Sequence, residues 1–430
     1  MEPHPASASR SPAQSPALAP IDVAVIGAGA AGMIAALAFA AEGFDVTLIG
    51  PPRRRDARAT ALMDGSVHAL EALGVWPRLQ GVGASRKVSP LRVMRLVDDT
   101  GRLWRAPEVS FEAGELGLPA FAWNVENEAL LQALEAGIAA VPRITRVKAS
   151  VATVTDEPDA ARLVLDDGRT LAAALVAAAD GRNSPCRAAA GIGLHTRDYP
   201  QVAITATLSH DRPHRDVSTE FHTPTGPFTL VPLPGNRASI VCVVAPKDAE
   251  VLSALDDAAF SREMERRAHS LLGKMRLDGP RGAFPLVAGT AERFAAGRIF
   301  LMGEAAHILP PIGAQGLNLG IRDAATLAEL AGDARRAGRD PAGSDIADAY
   351  ERRRRMDVGS RSLAVDLFNR SLLTGFLPIQ GARGLGLWAL GRSATLRRLA
   401  MREGVGPGRD VPRLMRAPAA ELASDANNVA

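Results

Sequence analysis

Two cysteines and two tyrosines are all that this chain of 430 residues holds of either type, and aromatic side chains make up only 4% of it. Cys186 and Cys242 stand far apart and match no metal or disulfide spacing, so a disulfide framework and a Cys-ligated zinc site are excluded. Both read as buried thiols in a reducing compartment. Aromatics are too sparse for a base-stacking platform, and no nucleic-acid module is recognisable, so nucleic acid is set aside as a partner. The eight histidines are scattered without an H-E-x-x-H pair, which leaves no expected metal site. No run of eighteen apolar residues exists to span a bilayer, so the chain is expected in the cytoplasm, free or peripheral at the inner face of the membrane. Residues 1–20 carry five prolines among serines and alanines and no apolar run, and read as a disordered tail, not a signal peptide.

Glycine, by contrast, is plentiful and ordered. Three glycine segments lie in the sequence that one nucleotide-binding domain needs when assembled from distant pieces: Ile26-Gly27-Ala28-Gly29-Ala30-Ala31-Gly32, Ala179-Asp180-Gly181-Arg182-Asn183-Ser184, and Arg298 to His307 around Gly303-Glu304. The first follows the β-branched run Val23 to Ile26 and precedes an alanine-rich helix expected over Met33 to Glu42. In that context Gly27 makes the tight turn, Gly29 lets the backbone approach a pyrophosphate, and Gly32 lets the helix pack closely, with phosphates at the helix N-terminus. A strand-turn-helix that binds nothing shares this pattern, but three segments in register favour a dinucleotide. One element is missing: the second strand, Asp45 to Ile49, ends in Gly50 where an acid for the adenosine ribose is usual. Asp56 or Arg58 is the nearest substitute.

Several further segments carry a resemblance to flavin-dependent aromatic hydroxylases, the single-component monooxygenases. Val164 to Arg169, the strand Ala174 to Ala179 and the Asp180-Gly181 turn resemble their middle motif; Pro310 to Asp323, above all Gln315 to Asp323, is similar to the signature of their ubiquinone-biosynthesis branch. Asp56 to Leu62, Glu126-Asn127, Leu233 to Arg237 and Phe284 to Leu286 also match, so the likeness spans roughly residues 21 to 416. It implies FAD, with NAD(P)H or a protein electron donor as reductant, and a flavin hydroperoxide that attacks an electron-rich phenol ring. The implied cofactor contacts are Gly27, Gly29, Gly32, Arg58, Asn127, Asp180, Gly181, Gly303, Glu304, Gly316, Leu317 and Asn318, with a flavin-positioning loop through Pro311, Gly313, Gln315 and Gly316. Glu304 stands where the family usually has an aspartate. Asp180 either touches the flavin and reductant, as the resemblance implies, or caps a helix over Asn183 to Ala190. Leu317 and Asn318 open a helix whose free N–H groups would face the flavin pyrimidine edge. No general base can be named: Tyr199 and Tyr350 sit in no recognised site, and His307 reads as a positioning residue.

The expected fold is α/β, a doubly wound Rossmann-type FAD-binding domain with an inserted, mainly antiparallel β substrate domain and a helical C-terminal region. The cofactor domain is expected as 21–90, 120–195 and 284–345, the substrate sheet as 91–119 and 196–283, and the helical region from 346 onward. Val202 to Thr207, Phe228 to Val231 and Ala238 to Val244 supply the β-rich runs. Ala347 to Arg370 and the tail read as helices. Between Arg352 and Arg416 fourteen arginines face four acids, a net +10, with apolar residues such as Trp388 and Leu396 between them. This suits an anionic membrane surface or a partner protein of ubiquinone biosynthesis, and equally a helical face packed on the catalytic domain. Gly191-Ile192-Gly193 and Gly384-Leu385-Gly386 lack a preceding strand and read as turns, so no second nucleotide fold is expected.

Three functions are compatible with these features. Dioxygen-dependent hydroxylation of a polyprenylated phenol leads. Hydroxylation of a small soluble aromatic is the second. A scaffold without catalysis in a ubiquinone-biosynthesis complex is the third, motivated by Gly50 and Glu304. Flavin halogenases are set aside because no W-x-W-x-I-P segment is present.

Overall fold

The computed structural model describes residues 21–52, 56–81, 85–101, 107–311, 315–373, 386, 388–390, 392–405 and 410–417, with side chains described throughout except at 362–373 and 402–405. The expected disordered tail and Gly313 lie outside the described residues, as do Gly384 and Leu385.

Five strands run parallel in the order Ile299–Leu301, Thr170–Ala178, Ile21–Ile26, Val46–Ile49 and Ile144–Val147. Their neighbours in the sheet are therefore distant in sequence: Ile26 pairs with Ala178 on one side and Ile49 on the other, and Ala178 pairs with Leu301. Such strands are covered on both faces, which is why they read as continuous apolar runs. All four residues of Val46–Ile49 are buried. The ends of three of these strands lead directly into the three glycine segments, so one edge of the sheet gathers them.

On this sheet lies the helix Ala30–Ala41, buried from Gly32 to Ala40. It begins three residues before the expected Met33, directly after Gly29, because the small side chains Ala30 and Ala31 already fit beneath the helix Gln315–Arg336. A Cβ on Gly320 of that second helix would stand 3.3 Å from the Ala31 Cβ. Small residues on both sides thus let the two helices close on the turn that carries Gly303.

A second sheet is mainly antiparallel. At its centre the Leu194–His210 strand pairs with Arg237–Val244 and Gly282–Ala291, and the sheet continues through Gly226–Leu233 and Val217–Thr223 to Val93–Asp98, the last pair being parallel. The strand at the expected 284 boundary, Gly282–Ala291, runs in this sheet. Helices Pro246–Ala254 and Asp257–Arg267 cover its outer face and bury Phe260, Met264 and Leu252 against it. A three-stranded sheet of Ala59–Met63, Ala122–Glu126 and Val88–Leu91 stands between the two larger ones. Arg237 clamps this junction with a bidentate pair to Glu126 at 2.9 and 2.8 Å.

The long C-terminal helix runs Ser344–Leu373, a few residues beyond the expected span at each end, and Ala394–Val405 forms another. The basic tail is not a uniformly charged face. Arg353 and Arg413 pair with Glu329, Arg354 with Asp323, and Arg397 with Glu115, all acids outside the tail. The +10 of the segment is thus in part answered by the body of the protein, which sequence counting within the tail could not register. Arg392 instead stacks 5.1 Å from the Trp388 ring, and Leu396 and Leu399 are 45% and 60% exposed. Among the described residues no helix is long and apolar enough to cross a membrane, and no group of His, Cys, Asp and Glu could hold a metal ion.

Candidate active site

A cavity of about 1220 Å³ lies where the three sheets meet. Single small-ligand sites hold roughly 300–1,000 Å³, so this one has room for more than one molecule. Gly29, Gly181, Gly303, Glu304, Gly316 and Leu317 all line it, which brings the three glycine segments and the first turn of the Gln315–Arg336 helix to one place. Arg58, Asn127, Pro311 and Gln315 line it as well. Gly27, Gly32, Asp180 and Asn318 stand behind the wall.

Local geometry explains the glycines. Gly27 has a φ of +107°, and a Cβ there would lie 2.2 Å from the Ala179 carbonyl oxygen, where the first segment crosses the second. Gly32 is packed against the turn itself: its Cβ would meet the Gly27 oxygen at 1.8 Å. At Gly29 nothing lies within 4 Å of that position, so the space in front of the helix N-terminus is open. No side chain caps this helix, which leaves its first N–H groups available. Position 50 is closed, because a Cβ there would stand 2.7 Å from the Ala28 nitrogen. The close packing of the glycine turn on the second strand therefore takes the room that an acid would need.

Asp56 and Arg58 form a bidentate pair at 2.8 Å for both contacts, and the Asn127 amide donates to the same carboxylate at 2.8 Å. Burial opposes the charge, yet the hydrogen bonds from Arg58 and Asn127 hold the Asp56 carboxyl below the usual carboxylate range. Because Asn127 must turn its NH₂ to that carboxylate, its side-chain oxygen is left as a buried acceptor without a partner. Arg58 also lies 5.7 Å from the Phe284 ring. Asp56, named in the sequence beside Arg58 as a substitute for the missing ribose acid, is the group that orients both Arg58 and Asn127.

In the second segment Asp180 caps a helix, as one of its two readings held, but the helix is Pro185–Ala189 and shorter than expected. Asp180 accepts from the Cys186 N–H at 3.0 Å and Ser184 accepts from the Arg187 N–H at 2.8 Å. Proline at position 185 fixes this start. The other carboxylate oxygen of Asp180 is buried without a partner. Cys186 and Cys242 are both free and buried, and burial pushes the Cys242 thiol up to about 11. Neither is poised as a nucleophile.

The third segment is fixed from behind by Asp323, the last residue of the Gln315 block. One of its oxygens accepts from the Gly303 N–H at 2.8 Å and from His307 Nε2 at 2.7 Å. His307 lines the cavity and is held in one orientation by this contact, in keeping with a positioning residue. Asn318 is engaged by the strand Ala59–Met63 and the helix Asp64–Ala72 after it: its side-chain oxygen accepts from the Met63 N–H at 2.9 Å and Ser66 Oγ at 2.7 Å, and its amide donates to the Ala61 carbonyl at 2.8 Å. Gln315 accepts from Arg361 Nη1 at 2.6 Å. Sequence reading missed Arg354, Asp357 and Arg361, which support this loop; their spacing within one long helix was the available signal. Tyr350 is buried and donates to the Leu301 carbonyl at 2.8 Å, a core role.

Opposite the glycine segments, the cavity wall is the inner face of the second sheet. Ser218, Glu220, Thr229, Val231, Ser239 and Val241 line it from three adjacent strands. Leu91, Phe111, Phe121 and Met401 add an apolar flank, and Met401 comes from the Ala394–Val405 helix.

Comparison with known proteins places this arrangement. The model of the FAD binding domain family matches residues 20–361. The chain is 34% identical to the ubiquinone hydroxylase UbiL of Rhodospirillum rubrum, covering 92% of each, and 32% identical to the 3-demethoxyubiquinol 3-hydroxylase of Escherichia coli, covering 90% of this chain and 99% of that one. In fold it resembles the p-nitrophenol 4-monooxygenase PnpA of Pseudomonas putida, with a TM-score of 0.74 at 19% identity over 91% of this chain and 99% of that one. It also resembles PqsL of Pseudomonas aeruginosa, with a TM-score of 0.67 at 22% identity over 86% and 99%. Sequence and architecture agree: the chain belongs to the FAD binding domain family and is an FAD-dependent hydroxylase of it.

Proposed function

We propose that the chain hydroxylates the aromatic ring of a polyprenylated phenol in ubiquinone biosynthesis, using dioxygen. The observation that carries this reading is a cavity with a set of glycine turns on one side and, on the other, a sheet face of hydroxylic and aliphatic side chains that includes Glu220, flanked by the apolar Leu91, Phe111, Phe121 and Met401. The names of its relatives agree with it.

The residues present fit FAD. Open space at Gly29 before an uncapped helix suits a pyrophosphate, and the buried oxygen of Asn127, without a protein partner, is an acceptor for a hydroxyl or amine donor. Gly27 and Gly32 allow the turn, and Gly181 and Gly303, at φ of +86° and +57°, bring backbone to the cavity wall. Arg58, positioned by Asp56, would bring a guanidinium to the cofactor's side of the cavity. Glu304, exposed on the cavity side, is an acceptor for ribityl hydroxyls. Gly316 and Leu317 offer helix N–H groups, and Asn318 contributes by pinning that helix. When bound, FAD supplies the activation of dioxygen, with NAD(P)H or a protein as electron source. The sheet face and Met401 keep bulk water from the ring.

The Ala394–Val405 helix has a second use in this reading. Met401 faces the cavity while Leu396, Leu399 and the Trp388–Arg392 pair are exposed, an amphipathic arrangement suited to an anionic membrane surface from which a prenyl chain enters.

The test is turnover of the FAD-loaded protein with a reductant, ¹⁸O₂ and two phenols, one prenylated and one bare, with and without anionic liposomes. Label should enter the prenylated ring selectively and faster with liposomes. Equal turnover of both rings, indifferent to lipid, would assign the chain to a soluble aromatic instead.

A further inference from the structure

We infer that Glu220 is the substrate-binding residue that selects a ring bearing a neutral hydroxyl and rejects a ring bearing a carboxylate; this rests on the ring-hydroxylase reading above. Glu220 sits in the middle of the Val217–Thr223 strand, and side chains two apart on a strand share a face. Ser218 and Glu220 accordingly both line the cavity, with Thr229 reaching it from the neighbouring strand. Along this wall the other groups are small, hydroxylic or aliphatic, so Glu220 is the carboxylate that the sheet presents to a ligand lying against it.

Its orientation is built. Oε1 accepts from His222 Nε2 at 3.0 Å, and Oε2 accepts from the Thr229 hydroxyl at 3.3 Å. His222 is itself 2% exposed while Glu220 is 19% exposed, so the imidazole anchors the carboxylate from behind and leaves part of it open to the cavity. A carboxylate oxygen has two lone pairs, and each here has one protein partner, so each retains capacity for another donor. Arg95, which also lines the cavity from the next strand, places its buried Nε 3.3 Å from Glu108. Glu220 therefore presents an oriented carboxylate to the cavity, held by His222 and Thr229.

A phenol hydroxyl meets this group as a donor, and a hydrogen bond to a charged acceptor is among the stronger ones. A ring carboxylate brought to the same place meets Glu220 as a like charge in a partly dehydrated site. The same side chain thus admits one class of ring and refuses the other, which amounts to specificity by repulsion as well as attraction.

The experiment measures binding through the visible flavin spectrum of the FAD-loaded protein, with 2-prenylphenol, its methyl ether and 3-prenyl-4-hydroxybenzoate as ligands. Wild type should bind the phenol roughly tenfold or more tighter than the ether and bind the benzoate weakest. Glu220→Ala should bind phenol and ether alike with unchanged FAD content, and Glu220→Arg should reverse the order in favour of the benzoate. Retained phenol-over-ether discrimination in Glu220→Ala, or a wild type that binds the benzoate as well as the phenol, would overturn the assignment. Loss of FAD in Glu220→Ala would overturn it by showing that the carboxylate serves the cofactor. A wild type that responds to none of the three rings would sink the ring-hydroxylase reading and this assignment with it.

Discussion

Arg354 Nε lies 2.6 Å from Asp323 Oδ1, and neither side chain is more than 2% exposed. The opposite oxygen of Asp323 holds the Gly303 N–H and His307, so one buried carboxylate links the long C-terminal helix to the third glycine turn. Arg354 in turn reaches Asp357 at 2.7 Å, and Arg361 bridges Asp357 to Gln315 at 3.1 and 2.6 Å. A chain of ion pairs thus runs from the back of the turn at Gly303 to the start of the loop helix. Both ends line the cavity.

Removing one member of this pair should hurt more than removing both. Arg354→Met leaves Asp323 buried with one cation fewer, a change that costs about 3–5 kcal/mol in comparable pairs. The double variant Arg354→Met with Asp323→Asn loses the attraction and the dehydration cost together, and is expected to recover a large part of that loss. Urea unfolding of the wild type, both single variants and the double variant gives the coupling. Additive single effects would show that the pair does not act as a unit.

Acid should expose the same group. Burial opposes ionisation of Asp323, but Arg354 and His307 lower its pKa from 3.8 to about 2. A carboxyl depressed in the folded state contributes stability that is full above its ordinary value and is lost as pH falls from about 4 through 2. By linkage the contribution is about 2 kcal/mol. Since Asp56 and Asp357 are depressed as well, the informative quantity is a difference: wild type should lose more stability than the double variant between pH 4 and pH 2. Parallel pH curves would contradict it.

How much of this was legible beforehand depends on range. Val23 to Ile26 and the glycines after it announce a strand-turn-helix by local rules, and the three glycine segments announce one sheet edge. The inserted antiparallel sheet was legible in Val202 to Thr207 and Ala238 to Val244 because alternation and β-branching are local too. What could not be read is pairing across long separations. Arg354 looked like one cation in a run of four, and only its burial beside Asp323 shows that the basic tail is in part an internal counter-charge. Asn318 was legible as part of a helix start, whereas the hydrogen bonds by which its side chain ties that helix to Met63, Ser66 and Ala61 were not. Glu220 carried no motif at all; a lone glutamate in a strand gains meaning only when the sheet face it occupies is known to wall a cavity.

Two glycines three residues apart, Gly29 and Gly32, should fail in opposite ways. A side chain at Gly29 points into open space, so Gly29→Val should fold with near wild-type thermal stability and lose FAD. At Gly32 even a methyl group would overlap the Gly27 oxygen, so Gly32→Ala should destabilise the fold by about 1–3 kcal/mol, as overpacking does, and lose FAD only in consequence. Melting temperature and bound flavin, measured on the same samples, separate the two. A destabilised Gly29→Val would mean that the space before the helix is not a ligand's.

The absent ribose acid leads to the least intuitive expectation. If position 50 were simply an unused site, Gly50→Asp would restore the usual carboxylate and tighten FAD. The structure argues the reverse, because the new Cβ would stand 2.7 Å from the Ala28 nitrogen and 2.9 Å from its Cβ, and relief requires the glycine turn to move away from the second strand. That turn is the one that bears Gly27 and Gly29, so its displacement should weaken FAD binding. Asp56, Arg58 and Asn127 already form an oriented cluster on the same wall, and Asn127 retains a buried acceptor for a hydroxyl. Titration of the apoprotein with FAD should therefore show Gly50→Asp binding more weakly than wild type, and Asn127→Leu weaker by roughly tenfold, the loss of one buried hydrogen bond. Tighter binding by Gly50→Asp would show that the turn yields easily and that the cluster around Asp56 does not replace the acid.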